Sequence, residues 1–420
     1  MAEVTQSGAP LSDSEIDARI RKCRTAEVTL TVTDAAGRPL AGQAVTVRQA
    51  RHKFLFGCNA FRINTADSSD AQKAYQKQFA DLFNLAVLPF YLGGYEPTRG
   101  DVKAARLHMM AEWCRANHIQ TKGHPLCWQE GLPKWLEGKP AEEVGAVIRG
   151  RIERDVKEFA GIIDRWDVVN EAVRMPDYEP EINPIAQWCR KVGRVPLIQE
   201  TFAAARKAGP KAVLILNDYV TIEPYVALIR DCLAAGVPMD VIGIQSHQHA
   251  GYWGAEKAWT VCGRFAQFGK PIHFTEATIL SGEARKDINY KKRYDDWPTT
   301  PEGERRQAEQ VTEFYRVLFS HPAVEAITWW DFDDGNWLGA PAGLVRRDMS
   351  AKPAYEALMG LVKKAWWTGL LELKADKDGK VKFRGYLGEY VVESAGGWGT
   401  VEVPAAGEAA VSVALAPGRG

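Results

Sequence analysis

Two glutamates stand at the ends of apolar runs: Glu171 closes IIDRWDVVNE and Glu276 closes PIHFTE. If both runs are β-strands of one sheet, the two carboxyls project from the same end of it. Two carboxyls in one mouth suit glycosidic bond cleavage. One, protonated, gives its proton to the leaving oxygen; the other, ionised, attacks the sugar or activates water from the opposite face. Strand-end carboxylates also cap helices or bind lysines, so the pair alone does not decide. His124, His247, His249 and Asp218 suggest a second chemistry, a metal-dependent barrel hydrolase, although QSHQH supplies only one close pair of histidines and no HxH lies in the first strand.

The elements that must position these residues are legible as alternating runs. Eight short apolar stretches lie between residues 54 and 365: FLFG at 54–57, LAVLP at 85–89, TKGHPLCW at 121–128, IIDRWDVVN at 162–170, AVLILN at 212–217, DVIGIQS at 240–246, PIHFTE at 271–276 and AITWWD at 326–331. Between them, segments such as AEEVGAVIRGRIERDVKEFA repeat apolar residues every three or four positions, the helical period. Eight strand–helix units in about 310 residues fit a (β/α)8 barrel, for which about 250 residues is usual. A doubly wound open sheet is the alternative. Nearly every run ends in Asn, Glu, Gln, His or Asp, which favours the barrel, because barrel sites gather at the C-terminal ends of the strands.

The flanks follow a different pattern. An amphipathic turn or two at 16–21 precedes alternating segments at 28–32 and 44–49, joined by DAAGRPLAG and expected to form a hairpin. From residue 366 onward five short strands are expected, with no helical period, and with the hairpin they are expected to close a small all-β sandwich. The chain thus divides into 1–53, a catalytic barrel at 54–365, and 366–420.

Lys plus Arg number 53 and Asp plus Glu number 53, so no basic field exists to hold a nucleic acid. No apolar run approaches the roughly 20 residues that cross a bilayer, and no membrane partner is expected. Seven Cys without a CxxC disfavour a zinc ribbon or a disulfide framework, and no metal or other cofactor is expected. Fourteen Trp, several beside Gly or polar residues, suit a wet groove in which sugar faces stack on rings. The start, MAEVTQSGAPLSDSEID, has no basic and apolar leader; an extracellular or periplasmic site requires that Met1 replace a removed one, and otherwise the cytoplasm is expected. The oligomeric state is left open.

Taken in order, the motifs resemble those of glycoside hydrolase family 10, the xylanase family, over residues 54–365. KGHPLCW resembles the family's GHTLVW, and WDVVNEA its acid/base motif. LNDY, IGIQSH and HFTEA resemble its strand-five, strand-six and nucleophile motifs, and WWDFDDGNW its strand-eight aromatic segment. The resemblance implies a retaining mechanism with Glu276 as nucleophile and Glu171 as acid/base, their carboxyls about 5 to 5.5 Å apart. It implies that Asn170 bonds the sugar's 2-hydroxyl and that His247 touches the nucleophile. It also implies that His124, Trp128, Gln245, Trp329 and Trp337 line the central sugar site, with Asn217 of LNDY among the substrate-binding residues.

Departures from the family pattern bear on the substrate. Where the family has ENEMKW, this chain has FNLAVLPFYLGGYEP; Gln129 and Gly131 replace a His and a Gln, and Thr278 stands where the family has Asp. The distal sugar floor is therefore expected around Phe90, Tyr91 and Tyr95. Lost hydrogen bonds of about 0.5–3 kcal/mol each imply weak activity on linear xylan and a preference for a decorated, short or aryl-linked β-glycoside. A glycan-binding barrel without turnover is the alternative.

Overall fold

In the computed structural model, residues 12–395 and 397–417 are described; the polar lead at 1–11, on which the leader reading rests, lies outside them. Eight strands close into one parallel barrel: β3 (Leu55–Asn59), β4 (Leu85–Pro89), β5 (Gln120–His124), β6 (Arg165–Asn170), β7 (Val213–Asp218), β8 (Val241–Ile244), β9 (Ile272–Ala277) and β10 (Val324–Trp329), with β10 returning to β3. Every residue of β3, β8 and β9 is buried, as expected for strands covered by side chains inside and by helices outside.

The helices form for the reason their spacing gives. In the helix Ala141–Glu158, Val144, Ile148, Ile152 and Val156 repeat every four residues on one buried face. The same face carries Arg151, whose guanidinium donates to the carbonyls of Leu126 (2.6 Å) and Phe90 and pairs with Asp155. One buried cation thus ties the chain leaving β4 to the chain leaving β5, two segments that build the mouth.

The flanking strands form two further sheets. One contains β1 (Thr25–Thr33) between β12 (Lys380–Tyr386) and β15 (Gly407–Ala414); the other runs β11 (Leu371–Lys374), β2 (Ala44–His52), β13 (Gly388–Ser394), β14 (Gly397–Val403). The expected hairpin is therefore corrected: β1 and β2 do not pair, but lie in opposite sheets. The turn between them is real, with Asp34 Oδ1 accepting from the backbone N–H groups of Ala36 and Arg38, yet it carries the chain across rather than back. Val28, Leu30, Val45, Val47, Phe383, Tyr390, Val392, Val401 and Val413 share one core between the sheets. The segment before β1 is a three-turn helix, Asp13–Arg24, opened by a Ser12–Glu15 capping box.

The sandwich is fixed to the barrel by specific contacts. Arg24 donates to the carbonyls of Phe319 (2.7 Å), His321 (2.6 Å) and Val324 (2.8 Å), closing off the C-terminal end of a barrel helix and the chain into β10. Trp366 stacks on Phe319 with ring centroids 4.2 Å apart, and Trp367 meets His52 edge-on. Trp398, on β14, is half exposed. No helix of the described residues is long and apolar enough to cross a membrane.

Candidate active site

Glu276 lies in β9, and Glu171 is the first residue past β6. The backbone at Glu171 turns into the left-handed region, φ 56°, and its N–H donates to the carbonyl of Asn217 at 2.8 Å, which aims the side chain over the barrel rather than along the strand. Both carboxyls border one cavity of about 870 Å³ at the C-terminal ends of the strands.

A chain of amides joins them. Gln245 Nε2 donates to Glu171 Oε1 (3.0 Å) and to Asn170 Oδ1 (3.2 Å); Asn217 Nδ2 donates to the same Asn170 oxygen (2.8 Å) and to Glu276 Oε1 (2.8 Å). Thr275 donates to Asn217 Oδ1 at 2.6 Å, which fixes which end of that amide faces the carboxylate. Gly243 on the neighbouring strand makes room: a Cβ there would stand 2.5 Å from Asn217 Oδ1. Gln129 Nε2 approaches the other oxygen of Glu171 at 3.2 Å.

The two carboxyls differ in charge environment. Burial pushes Glu171 up to about 8; Gln245 opposes that shift and the negative charge of Glu276 adds to it. Burial also acts on Glu276, but His124, the hydrogen bond from His247 and the charge of Lys122 together outweigh it and hold Glu276 below the usual carboxylate range. His247 Nε2 lies 3.0 Å from Glu276 Oε2, and His124 Nε2 lies 3.9 Å from Oε1.

Behind Glu276 sits a buried charge cluster. Lys122 and His124, two apart on β5, face the same side, and Asp167 on β6 meets both at 2.7 Å. Asp167 keeps its pKa below normal despite burial because Lys122 and His124 surround it. With Asp167 on its Nδ1, His124 turns Nε2 towards Glu276. His249 instead contacts Thr278. Among the described residues no three His, Cys, Asp or Glu are arranged to hold a metal ion, so His124, His247, His249 and Asp218 do not form the ligand set considered above.

Of the residues singled out in the sequence, Glu171, Glu276, Asn170, His124, Trp128, Gln245, His247, Trp337 and Tyr91 border the cavity. Asn217 stands behind them, fully buried, and acts through Asn170 and Glu276. Three residues are corrected. Trp329 is fully buried, its indole N–H donating to the carbonyl of Ala342 at 3.0 Å; its neighbour Trp330 borders the cavity instead, edge-on to His124, His247 and Phe61. Tyr95 turns away, packing on Phe90 beside Arg151 and Arg154, and Phe90 itself is buried against Trp166, so of the expected distal floor only Tyr91 faces the cavity. Sequence reasoning passed over Asp331, Asp333, Arg62, Tyr290 and Trp330, of which Tyr290 stacks on Trp337 with centroids 5.8 Å apart. The run WWDFDDGN held the signal for three of them, since polar residues just past a barrel strand face the mouth.

Comparison with known proteins agrees with this geometry. Xylanase 10B from Thermotoga petrophila RKU-1, solved in complex with xylobiose, superposes with a TM-score of 0.62 at 25% identity, covering 74% of this chain and 95% of that one. Endo-1,4-beta-xylanase B of Thermotoga neapolitana is 30% identical over 288 residues, 64% of this chain and 76% of that protein. The anti-sigma-I factor RsgI6 of Acetivibrio thermocellus is 26% identical over 96% of this chain and 48% of its own length, and endo-1,4-beta-xylanase 2 of Arabidopsis thaliana is matched over 31% of its length. The chain therefore spans half or less of the length of such curated relatives. The model of glycosyl hydrolase family 10 matches residues 47–361, three quarters of the sequence, and the chain belongs to that family.

Proposed function

We propose that the protein is a retaining β-glycoside hydrolase acting on a xylan-related carbohydrate, with Glu276 as nucleophile and Glu171 as acid/base. The observation that carries this reading is two carboxyls on one cavity in opposite environments: burial pushes Glu171 up to about 8, while His124, His247 and Lys122 hold Glu276 below the usual carboxylate range. In the first step a Glu276 oxygen bonds to the anomeric carbon as the glycosidic bond breaks, and the leaving oxygen takes the proton of Glu171. In the second, Glu171, now ionised, takes a proton from water, whose oxygen displaces Glu276 from the sugar. Asn170 is held by Asn217 and Gln245 where a sugar 2-hydroxyl belongs in such a step, and Trp128, Tyr91, Trp330 and Trp337 supply apolar faces for the rings.

The favoured substrate is a decorated, short or aryl-linked β-glycoside over plain linear xylan. Support comes from the cavity wall after β4, where Tyr91 borders the cavity and the polar segment of the family is absent. A glycan-binding protein without turnover is a second reading, favoured by one observation: a relative matched over 96% of this chain bears the name of an anti-sigma factor.

The test is release of 4-nitrophenol from aryl β-xyloside, β-xylobioside, β-glucoside and β-cellobioside, with wild type and Glu276→Ala side by side. Release that disappears in the variant supports the hydrolase and identifies the sugar; a folded wild type that releases nothing, yet binds xylobiose, supports the second reading.

A further inference from the structure

Past the end of β5 the chain keeps pace with β6. The N–H groups of Leu126 and Cys127 donate to the carbonyls of Asp167 and Val168, both at 2.9 Å, and the Asn170 N–H donates back to the carbonyl of Cys127 at 2.9 Å. That register, Cys127 opposite Val169, brings the next residues along each chain, Gln129 and Glu171, side by side. The Gln129 carbonyl accepts from Asn183 Nδ2 at 2.7 Å, and Asn183 Oδ1 in turn caps the helix Pro184–Val192 by accepting from the N–H groups of Ile185 and Ala186. The main chain on both sides therefore fixes where the Gln129 side chain starts.

Gln129 is 1% exposed; its Nε2 donates to Glu171 Oε2 at 3.2 Å, and its Oε1 has no hydrogen-bond partner among the described residues. Glu171 is thus the polar group this buried side chain serves. Gln245 Nε2 meets the other carboxyl oxygen at 3.0 Å. An N–H donor on each oxygen favours the ionised carboxyl: a carboxylate accepts from both, whereas the O–H of a neutral carboxyl finds no acceptor in either nitrogen. Its proton is then left for a leaving oxygen. The other groups around Glu171 divide. Burial works hardest against the anion, joined by the negative charges of Glu276 and Asp218, while Gln245 and Trp128 favour it; Tyr91 and Tyr219 stand close enough to feel its charge.

We propose that Gln129 is a positioning residue for the acid/base: its amide N–H holds Glu171 Oε2 and, with Gln245 on the other oxygen, stabilises the carboxylate that remains once the proton has gone to the leaving group. Gln129 touches no sugar in this role and acts through Glu171. The proposal rests on the glycosidase reading above and adds to it a residue that sets the pH at which the acid gives up its proton.

The experiment measures kcat/KM against pH for wild type, Gln129→Met and Gln129→Glu, with melting temperatures, on whichever of the four aryl β-glycosides the wild type hydrolyses fastest. Both replacements keep the length of the side chain. Gln129→Met removes the donor, and the basic limb of its profile is expected to move up by about 0.5–1 pH unit, the shift that one hydrogen bond to the ionised form makes. Gln129→Glu sets a second carboxyl against Glu171, and its basic limb is expected to move up further. A limb that stays at the wild-type pH in Gln129→Met, or moves down, overturns the proposal whatever the melting temperature. If Gln129→Met does not fold, Gln129→Glu decides by the same criterion, and failure of both to fold makes Gln129 a structural residue and also overturns it. If wild type and Glu276→Ala are equally inactive on all four glycosides, the glycosidase reading has failed and this one falls with it; an active wild type with an unmoved limb overturns this one alone.

Discussion

The cavity has two walls, and different kinds of side chain face it from each. On the wall built by β6 to β9, Glu171, Gln245, Asn170, Asn217 and Glu276 form one continuous hydrogen-bonded chain, backed by Thr275 and His247. On the wall built by β3, β4 and β10, aromatic rings alternate with acids: Asp333 pairs with Arg62, and Asp331 Oδ2 has no hydrogen-bond partner among the described residues. A wall whose amides hold both carboxyls before substrate arrives is suited to holding charge and geometry for a reaction. One lined by rings is suited to meeting the apolar face of a substrate. The difference teaches that the two carboxyls are held by one run of strands, β6 to β9, while Tyr91, Trp330 and Trp337 reach the cavity from another.

The comparison is broken most severely at Glu171. Glu171→Ala is expected to lower kcat by about 10²–10⁴-fold on glycosides whose leaving group needs a proton, and far less on dinitrophenyl glycosides, whose leaving group does not. Equal losses on both would place the acid elsewhere. Next comes Asn217, which touches no solvent: Asn217→Ala should cost roughly 10–100-fold in kcat with little change in KM, from a charge-assisted bond of about 1.5–3 kcal/mol. Gly243→Ala should reproduce part of that loss by crowding the same amide, and steady-state kinetics of both variants check it.

A smaller effect sharpens the contrast on the other wall. Trp330→Ala should raise KM several-fold with a modest change in melting temperature, whereas Trp329→Ala should unfold more easily by about 3–5 kcal/mol through a core cavity. Thermal melts and KM values for the pair separate the cavity-lining ring from the core ring.

The pH dependence carries the last two outcomes. Activity, as kcat/KM, should fall as pH rises through about 8, where Glu171 loses its proton, and again on acidification below the ordinary carboxylate range, where Glu276 gains one. Stability follows with a fixed sign. The folded pKa of Glu171 exceeds its unfolded one, so its contribution is full below the ordinary carboxylate range and is lost as pH climbs to about 8. Glu171→Gln should therefore melt about 1–3 °C above wild type at pH 8 and no higher at pH 4.

Glu171 and Glu276 stood out because each ends an apolar run, but strand-end carboxylates also cap helices or bind lysines, and it was the order of the motifs that joined the two. The eight strands themselves were legible because apolar runs of four to nine residues, separated by helical periodicity, mark strand–helix units. The aromatic wall was less readable. Trp329 was expected there because the resemblance implied it, yet it is Trp330, the first residue past β10, that borders the cavity, and the pairing of β9 with β10 shifts register between Ile327 and Trp329, just before it. Tyr95 was misplaced because 92–95 coils into a helical turn, with the Tyr95 N–H on the carbonyl of Tyr91, swinging its ring behind the wall. The β1–β2 turn shows the same limit: Asp34 and Gly37 announce a change of direction but not which sheet receives the returning chain.

The parallel pairing of β1 with β15 sets an order of events during synthesis. β1 leaves the ribosome early, yet one neighbour, β12, begins at Lys380 and the other, β15, at Gly407, after the whole barrel has been made. Until then its apolar face, Ala26, Val28, Leu30 and Val32, has no sheet to join. β1 thus waits for partners that are made after every strand of the barrel.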